Sequence, residues 1–267
     1  MFFDTHAHLD AFAADGSLEA VVSAALAARV SRLAAIGGSP AADDFAFAFA
    51  SAHPGFAVAT AGLDRDQIGS ADLPALRERA SRDAVRAIGE FGLDYHYGPD
   101  TRREQRALAE GQLELALALA KPVVFHSRDA TEDTLAALGE FSRQWHANGF
   151  PGPCGVLHCF TLDRATAETL MSLDFFVSFS GILSFLNADP LREVARALPL
   201  SSLLVETDSP YLAPRPHRGR RNEPKFAARV AEVLAETRGE PLEAVARATF
   251  ANACTLYRIQ PNQGTET

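Results

Sequence analysis

The sequence contains little cysteine and no long uncharged apolar run, and both absences limit what the protein can be. The three cysteines, Cys154, Cys159 and Cys254, form no C-x-x-C pair, which favours free thiols in a reducing compartment over a disulfide scaffold. No stretch of about 18 uncharged apolar residues is present, so we expect no membrane span. The first ten residues carry two acids and two histidines, unlike a secretory signal peptide, and we expect a cytoplasmic protein.

Lysine is nearly absent as well: Lys121 and Lys225 are the only two, and arginine supplies the other positive charges. The formal net charge is −9 and the sequence pI is about 5.4. This balance argues against a protein that coats nucleic acid by charge, but it allows an enzyme that acts on phosphates through metal ions and a local basic loop. The H-E-x-x-H, G-x-S-x-G, G-x-x-x-x-G-K-[ST] and G-x-G-x-x-G motifs are also missing, so neither a nucleotide cofactor nor a serine nucleophile is indicated.

Eight short apolar runs alternate with longer helical patterns. Most runs are continuously apolar, which is typical of strands buried on both faces of a parallel sheet. The predicted strands are Phe2–Thr5, Arg32–Ile36, Phe56–Ala61, Ala84–Gly89, Pro122–His126, Gly155–His158, Phe175–Ser178 and Leu203–Glu206. The predicted helices are Ser17–Arg29, Ala41–His53, Leu73–Ser81, Thr101–Lys121, Thr131–His146, Leu162–Leu173, Pro190–Ala197, Pro224–Arg238 and Pro241–Tyr257.

Eight β/α units in about 260 residues predict an α/β protein with a single-domain (β/α)8 TIM barrel. The barrel would cover residues 1–259, and residues 260–267 would form a flexible C-terminal tail. A doubly wound open sheet is the alternative, because counting strands does not exclude it. If the fold is a barrel, we expect the reactive groups to cluster at the C-terminal ends of the strands.

Side chains that bind metals do follow the apolar runs. They are His6 and His8 after the first run, Glu90 after the fourth, His126 at the end of the fifth, His158 at the end of the sixth, and Glu206 and Asp208 after the eighth. Imidazole suits a borderline ion such as zinc, and carboxylates accept zinc, magnesium or manganese. The four histidines with Glu90 and Asp208 alone exceed what one ion needs, and they match two ions bridged by a carboxylate.

Seven short motifs are spread in order over nearly the whole chain. They are DTHAHLD at 4–10, GEFGLDYHY at 89–97, PVVFHSRDA at 122–130, LHCF at 157–160, VSFSGIL at 177–183, VETDSPYLAP at 205–214 and RGRRNEP at 218–224. Together they resemble the motifs of the TatD family of metal-dependent deoxyribonucleases, within the wider amidohydrolase-like barrels. The resemblance implies a (β/α)8 barrel with a dinuclear centre of zinc, magnesium or manganese, with a third ion in some members.

The resemblance also implies a ligand set and an activity. The implied ligands are His6, His8 and Asp208 for one ion, His126 and His158 for a second, and Glu90 as the bridge between them. Asp208 is the candidate general base, and Glu206 is either a further ligand or a group that orients its neighbours. The implied function is a DNase of the 3′–5′ exonuclease type, with single-stranded DNA ends as substrate, no membrane association and no obligate protein partner.

One position departs from the family pattern. Relatives carry G-x-H-P after the third strand, whereas residues 62–65 read Gly-Leu-Asp-Arg, so that Asp64 stands where a histidine is usual. That position lies near the substrate in relatives. Asp64 is therefore a candidate substrate-binding residue, and the departure predicts a changed phosphate contact.

Further candidate substrate contacts are arginines and a tyrosine near the strand ends. Arg128 follows His126 by two residues and could hold a phosphate in bidentate fashion, or form a buried salt bridge. Residues 215–221 contain four arginines, among them Arg220 and Arg221, which could hold a polyanion over the opening or form a solvated loop. Tyr95 and its neighbours could stack on a base or pack in the core.

The sequence is compatible with three functions. The first is a metal-dependent phosphodiesterase that acts on DNA ends. The second is a hydrolase of an amide, lactone or ester on the same barrel; many such relatives bridge their ions with a carbamylated lysine, and neither lysine here follows a predicted strand. The third is a non-catalytic barrel that binds a partner, against which the full set of ligand residues argues.

Overall fold

In a computed structural model that describes residues 1–261, eight parallel strands form one sheet in the order β1 to β8. The strands are β1 (Phe2–Ala7), β2 (Val30–Ala35), β3 (Ala57–Ala61), β4 (Val85–Asp94), β5 (Val123–Arg128), β6 (Gly155–Leu157), β7 (Phe175–Phe179) and β8 (Leu203–Val205). The ring closes where the amide of Asp208 donates to the carbonyl of His6 (2.9 Å) and the amide of His8 donates to the carbonyl of Ser209 (2.8 Å). This is the predicted (β/α)8 barrel and excludes the open sheet.

The helices surround the barrel and follow the strands in turn. They are α1 (Asp10–Ala14), α2 (Leu18–Ala27), α3 (Pro40–Ala52), α4 (Leu73–Ala80), α5 (Arg102–Leu119), α6 (Thr131–Ala147), α7 (Arg164–Ser172), α8 (Asp189–Ala197), α9 (Ala227–Arg238) and α10 (Leu242–Leu256). The five-residue α1 was not predicted, because so short a helix shows no periodicity. Residues 224–226 form a 3-10 turn before α9 rather than the start of the predicted longer helix. Of the predicted tail, residues 262–267 lie outside the described residues.

Strand β4 runs five residues beyond its predicted end at Gly89, and two glycines explain the difference. Gly89 and Gly92 have φ values of +146° and +149°, which a residue with a side chain rarely adopts. A Cβ on Gly92 would lie 2.1 Å from the carbonyl oxygen of His126, so only glycine allows β4 and β5 to approach this closely. The sequence pattern predicts a strand end at these glycines, whereas in the structure they lie within β4 and allow it to pair closely with β5. Glu90 and His126 therefore lie on adjacent strands.

The barrel interior is filled by one side chain from each strand. These eight residues are Phe3, Ala34, Val58, Ala87, Val124, Val156, Phe176 and Leu204. Helix α10 packs on them with Phe250 and Tyr257, and the Tyr257 hydroxyl donates to the carbonyl of Thr5 at 2.7 Å. Apolar packing therefore occupies the barrel below the strand ends, and the polar residues are left at the C-terminal opening.

A second, larger cluster of buried apolar residues lies between the strands and the surrounding helices. It includes Trp145 of α6, which is fully buried and whose indole N–H donates to the carbonyl of Gly152 at 3.1 Å.

Within residues 1–261, none of the helices combines the length and apolar character needed to cross a bilayer.

Candidate metal centre

The structure brings all seven predicted metal-binding and catalytic residues together at the C-terminal opening of the barrel. His6, Glu90 and His126 lie in β1, β4 and β5, and the other four lie just beyond β1, β6 and β8. Three groups have their ligand atoms within 4.8 Å of one another, and they are His6 with His8 and Glu90, Glu90 with His126 and His158, and His6 with His158 and Glu206. The clustering at strand ends that the barrel predicted is therefore present.

Glu90 lies between the two pairs of histidines, and each of its oxygens faces one pair. Oε2 lies 3.2 Å from Nε2 of His6 and 3.4 Å from Nε2 of His8. Oε1 lies 2.9 Å from Nε2 of His158 and 3.3 Å from Nδ1 of His126. A carboxylate placed in this way can bridge two cations, one on each oxygen.

The histidine nitrogens also converge on one another. Nε2 of His6 lies 3.2 Å from Nε2 of His8, and Nδ1 of His126 lies 3.0 Å from Nε2 of His158. The rings of His6 and His158 stack with centroids 3.9 Å apart. Paired imidazole nitrogens beside a carboxylate oxygen form a donor set that fits zinc or a similar divalent ion.

The third group contains buried polar atoms that lack a hydrogen-bond partner among the described residues. These atoms are Nδ1 of His6, Nδ1 of His158 and Oε2 of Glu206. The other Glu206 oxygen, Oε1, accepts a hydrogen bond from the amide of Cys159 at 2.8 Å and lies 3.4 Å from Nδ1 of His158. Unpaired buried polar atoms are costly, and a cation would satisfy them.

The histidines and carboxylates of the site shift one another's pKa values. Burial would lower the pKa of His8, but hydrogen bonds to Asp208 and Glu90 outweigh it and raise the pKa to about 10. Burial would raise the pKa of Glu90, but the surrounding histidines hold it well below its usual value. For Asp208 burial is likewise outweighed, here by the hydrogen bond to His8, and the pKa is lowered. Glu90 and Asp208 are therefore ionised at neutral pH, and a cation that binds His8 displaces its proton.

Asp208 occupies an unusual backbone conformation. Its φ is 57°, in the left-handed region that only a few per cent of residues other than glycine adopt, asparagine and aspartate more often than most. The conformation places the carboxylate Oδ1 3.6 Å from Nε2 of His8 and 3.9 Å from Nε2 of His6. Such conformations cluster at functional sites, where surrounding structure enforces them.

Two buried aspartates that the sequence reasoning did not single out support the ligands. Asp4 accepts hydrogen bonds from the amide of Thr207 (2.8 Å) and from its hydroxyl (2.6 Å), which ties β1 to the segment after β8. Burial raises the pKa of Asp4 to about 8.

Asp94 is the second of these aspartates, and its Oδ2 lies 3.4 Å from Nε2 of His126. Burial opposes its ionisation, but the hydrogen bond from His126 lowers the Asp94 pKa to about 2. Both residues stand beside predicted ligands in the motifs at 4–10 and 89–97, which is the signal that could have identified them.

Asp64 and Arg128, two of the predicted substrate contacts, lie near the metal cluster. Asp64 holds the neighbouring Arg65 at 3.1 Å between Oδ2 and Nη1. Burial raises the pKa of Asp64, and the negative charge of Glu90 adds to the effect. Arg128 is exposed, and its guanidinium lies 4.8 Å from the ring centroid of Tyr97.

The structure does not bring Tyr95 or Arg221 to the metal cluster. Tyr95 is 6% exposed, and its hydroxyl donates to Asp133 of α6 at 2.6 Å. Arg221 forms an ion pair with Asp15 and donates to the carbonyl of Ala11 at 2.9 Å, so it attaches the loop after β8 to α1. Arg220 is exposed on the same loop.

Neither lysine lies in the site. The ammonium of Lys121 donates to the carbonyl of Val85 at 2.6 Å and to that of Ala80, so it lies at the N-terminal ends of β4 and β5. Lys225 forms an ion pair with Glu223 at 2.8 Å. A carbamylated lysine bridge is therefore excluded at this centre, where Glu90 lies between the two pairs of histidines.

The fold and the site define a (β/α)8 barrel with a histidine and carboxylate cluster at its C-terminal opening. A family model described as TatD related DNase matches residues 3–258, and the chain belongs to this family. It is 45% identical over 192 residues to YcfH of Escherichia coli K12, named as an uncharacterized metal-dependent hydrolase; the match covers 72% of this chain and 70% of YcfH.

Two further relatives extend the comparison. A Klebsiella pneumoniae protein named as the 3′-5′ ssDNA/RNA exonuclease TatD is 38% identical over 203 residues, which cover 73% of this chain and 74% of that protein. The crystal structure of YjjV, a TatD homologue from Escherichia coli K12, superimposes with a TM-score of 0.87 and 30% identity, and it covers 97% of this chain and 98% of its own.

Proposed function

We propose that this chain is a metal-dependent phosphodiesterase that shortens single-stranded DNA from its 3′ end. The observation that carries the proposal is the position of Glu90, whose two carboxylate oxygens each face one pair of histidines at 2.9–3.4 Å. Two cations held side by side suit phosphodiester cleavage, because both the attacking and the leaving oxygen need charge stabilisation. The exonuclease relative supports the choice of substrate.

The proposed ligand set divides the cluster into two half-sites. His6, His8 and Asp208 form one half-site with Oε2 of Glu90, and His126 and His158 form the other with Oε1. When bound, divalent cations lower the pKa of water and neutralise charge on the phosphate. Glu206 is proposed to orient these ligands rather than to bind either cation, since its Oε1 lies 3.4 Å from Nδ1 of His158.

Other residues act on protons and on orientation. Asp208 is ionised and half-buried at the opening, so its carboxylate can accept the proton of an attacking water. Oδ2 of Asp94 lies 3.4 Å from Nε2 of His126, which favours the tautomer with a proton on Nε2 and leaves Nδ1 as the ligand atom. Arg128 and Arg220 are exposed near the opening, where they supply positive charge for the phosphate backbone.

The test is a cleavage assay with protein stripped by chelator. Single-stranded DNA labelled at either end is offered with magnesium, manganese or zinc, beside a panel of amide, lactone and ester substrates. We expect metal-dependent shortening from the 3′ end that is lost in His126→Ala and retained in His146→Ala, since His146 is a half-exposed side chain of α6. Turnover of the panel without cleavage of DNA would contradict the proposal and support the second type of hydrolase.

A further inference from the structure

The turn after β4 carries an exposed tyrosine in a rigid backbone. Oδ1 of Asp94 accepts the amide hydrogens of His96 (3.0 Å) and Tyr97 (2.9 Å). The side-chain amide of Gln105 donates to the carbonyls of Asp94 and Gly98, both at 3.0 Å. Tyr97 nevertheless remains 67% exposed, so its ring is held in place without being part of the core.

Two guanidinium groups lie against the Tyr97 ring. That of Arg128 is 4.8 Å from the ring centroid and that of Arg65 is 5.8 Å away. Arg65 is itself fixed, because it pairs with Oδ2 of Asp64 at 3.1 Å and lies 3.7 Å from Oδ2 of Asp94. An aromatic ring flanked by two cations is unsuited to an apolar partner, and it matches a ligand with both a π-face and a negative charge.

The same arrangement is connected directly to the candidate metal centre. Oδ1 of Asp94 holds the turn that presents Tyr97, while Oδ2 of the same carboxylate faces Nε2 of His126 at 3.4 Å. Arg128 lies two residues beyond His126 on the same strand. A ligand on the Tyr97 ring is therefore adjacent to whatever the metal half-site of His126 holds.

We propose that Tyr97, Arg65 and Arg128 form a nucleobase platform for the reacting end of the substrate. The terminal base stacks on the exposed part of the Tyr97 ring, and the two guanidiniums contact the adjoining phosphate. Stacking of this kind is tolerant of sequence, because every base offers a π-face. The inference deepens the proposed function and rests on it for the identity of the substrate.

The experiment measures binding rather than cleavage. The probe is a trinucleotide with phosphorothioate linkages and 2-aminopurine at its 3′ end, whose fluorescence is quenched by stacking, added to the metal-loaded chain. Tyr97→Ala is expected to weaken binding about 5- to 150-fold, the range for one stacked base, whereas Tyr97→Phe retains binding because it keeps the ring. A second probe with an abasic 3′ end, whose binding is measured by competition with the first probe, is expected to bind weakly to all three proteins.

The outcomes separate this inference from the proposed function. Quenching that depends on Tyr97, in a protein that fails to cleave unmodified DNA, would support the platform and contradict the exonuclease. Cleavage of DNA with equal binding of both probes to the parent and to Tyr97→Ala would overturn the platform alone. Failure of the 2-aminopurine probe to bind or to be quenched would also overturn it.

Discussion

Replacing Asp94 by asparagine tests how the protein prepares a histidine to bind metal. The two carboxylate oxygens of Asp94 make different contacts. Oδ1 accepts two backbone amide hydrogens of the following turn, and Oδ2 lies 3.4 Å from Nε2 of His126. An asparagine offers one acceptor oxygen and one amide donor. If the oxygen serves the turn, the NH2 group faces the N–H of His126; if it serves His126, the NH2 group faces the two amides.

Either orientation disturbs the histidine or the turn, so the half-site of His126 and His158 is expected to weaken. Loss of such a supporting partner typically costs about 10- to 100-fold in metal affinity, or about 1.4–2.7 kcal/mol. Calorimetric titration of chelator-treated protein with zinc or manganese measures the change directly. We expect one of the two binding events to weaken by this factor, while the event at the half-site of His6 and His8 keeps its affinity.

The matched control is Asp129→Asn, which changes an exposed carboxylate that pairs with His96 at 3.3 Å. Asparagine tolerates the left-handed conformation at this position, where φ is 53°. We expect this variant to bind metal as the parent does. Unchanged metal affinity in Asp94→Asn, with both variants folded, would show that Asp94 does not orient His126.

Three further predictions concern stability and substrate. Asp43→Ala removes a buried carboxylate that accepts from the amides of Gly38 and Gly62 and pairs with Arg79, and it should lower the free energy of unfolding in urea by about 3–5 kcal/mol. The control Asp44→Ala breaks an exposed pair with Arg82 and should lower it by less than about 1 kcal/mol. Equal effects of the two variants would contradict this prediction. Burial and the nearby Asp133 raise the pKa of Tyr95 to about 12, so the folded state keeps a proton that the unfolded state loses near pH 10. The resulting contribution to stability is complete below pH 10 and is lost as the pH rises towards 12. A Tyr95→Phe protein whose unfolding free energy has the same slope between pH 10 and pH 12 would count against this prediction. Arg220→Ala should weaken binding of single-stranded DNA regardless of sequence and reduce the slope of affinity against salt by about 1, and an unchanged slope would exclude a phosphate contact.

Much of the fold and of the cluster can be predicted from the sequence, because both depend on patterns along the chain. Continuous apolar runs followed by histidine or carboxylate mark buried strands with reactive C-terminal ends, and barrel closure brings those ends together. The extension of β4 beyond Gly89 could not be predicted in this way. The two glycines look like a loop signal, and their role depends on the close approach of β5.

The substrate side of the site is less predictable, since it depends on the direction of each side chain. Tyr95 and Tyr97 are equivalent in sequence, yet the hydrogen bonds of Asp94 set a turn that buries Tyr95 against α6 and exposes Tyr97. Arg221 belongs to an arginine-rich loop that suggests phosphate binding, but Asp15, 206 residues earlier, takes up its charge. Such long-range pairings are visible only in the folded chain.

Anomalous diffraction from crystals soaked in manganese or zinc would show whether Glu90 joins two cation sites. We expect two strong peaks, one among His6, His8, Asp208 and Oε2 of Glu90, and the other among His126, His158 and Oε1 of Glu90. A single peak at saturating metal, or two peaks with Glu90 coordinated to neither or only one, would contradict it.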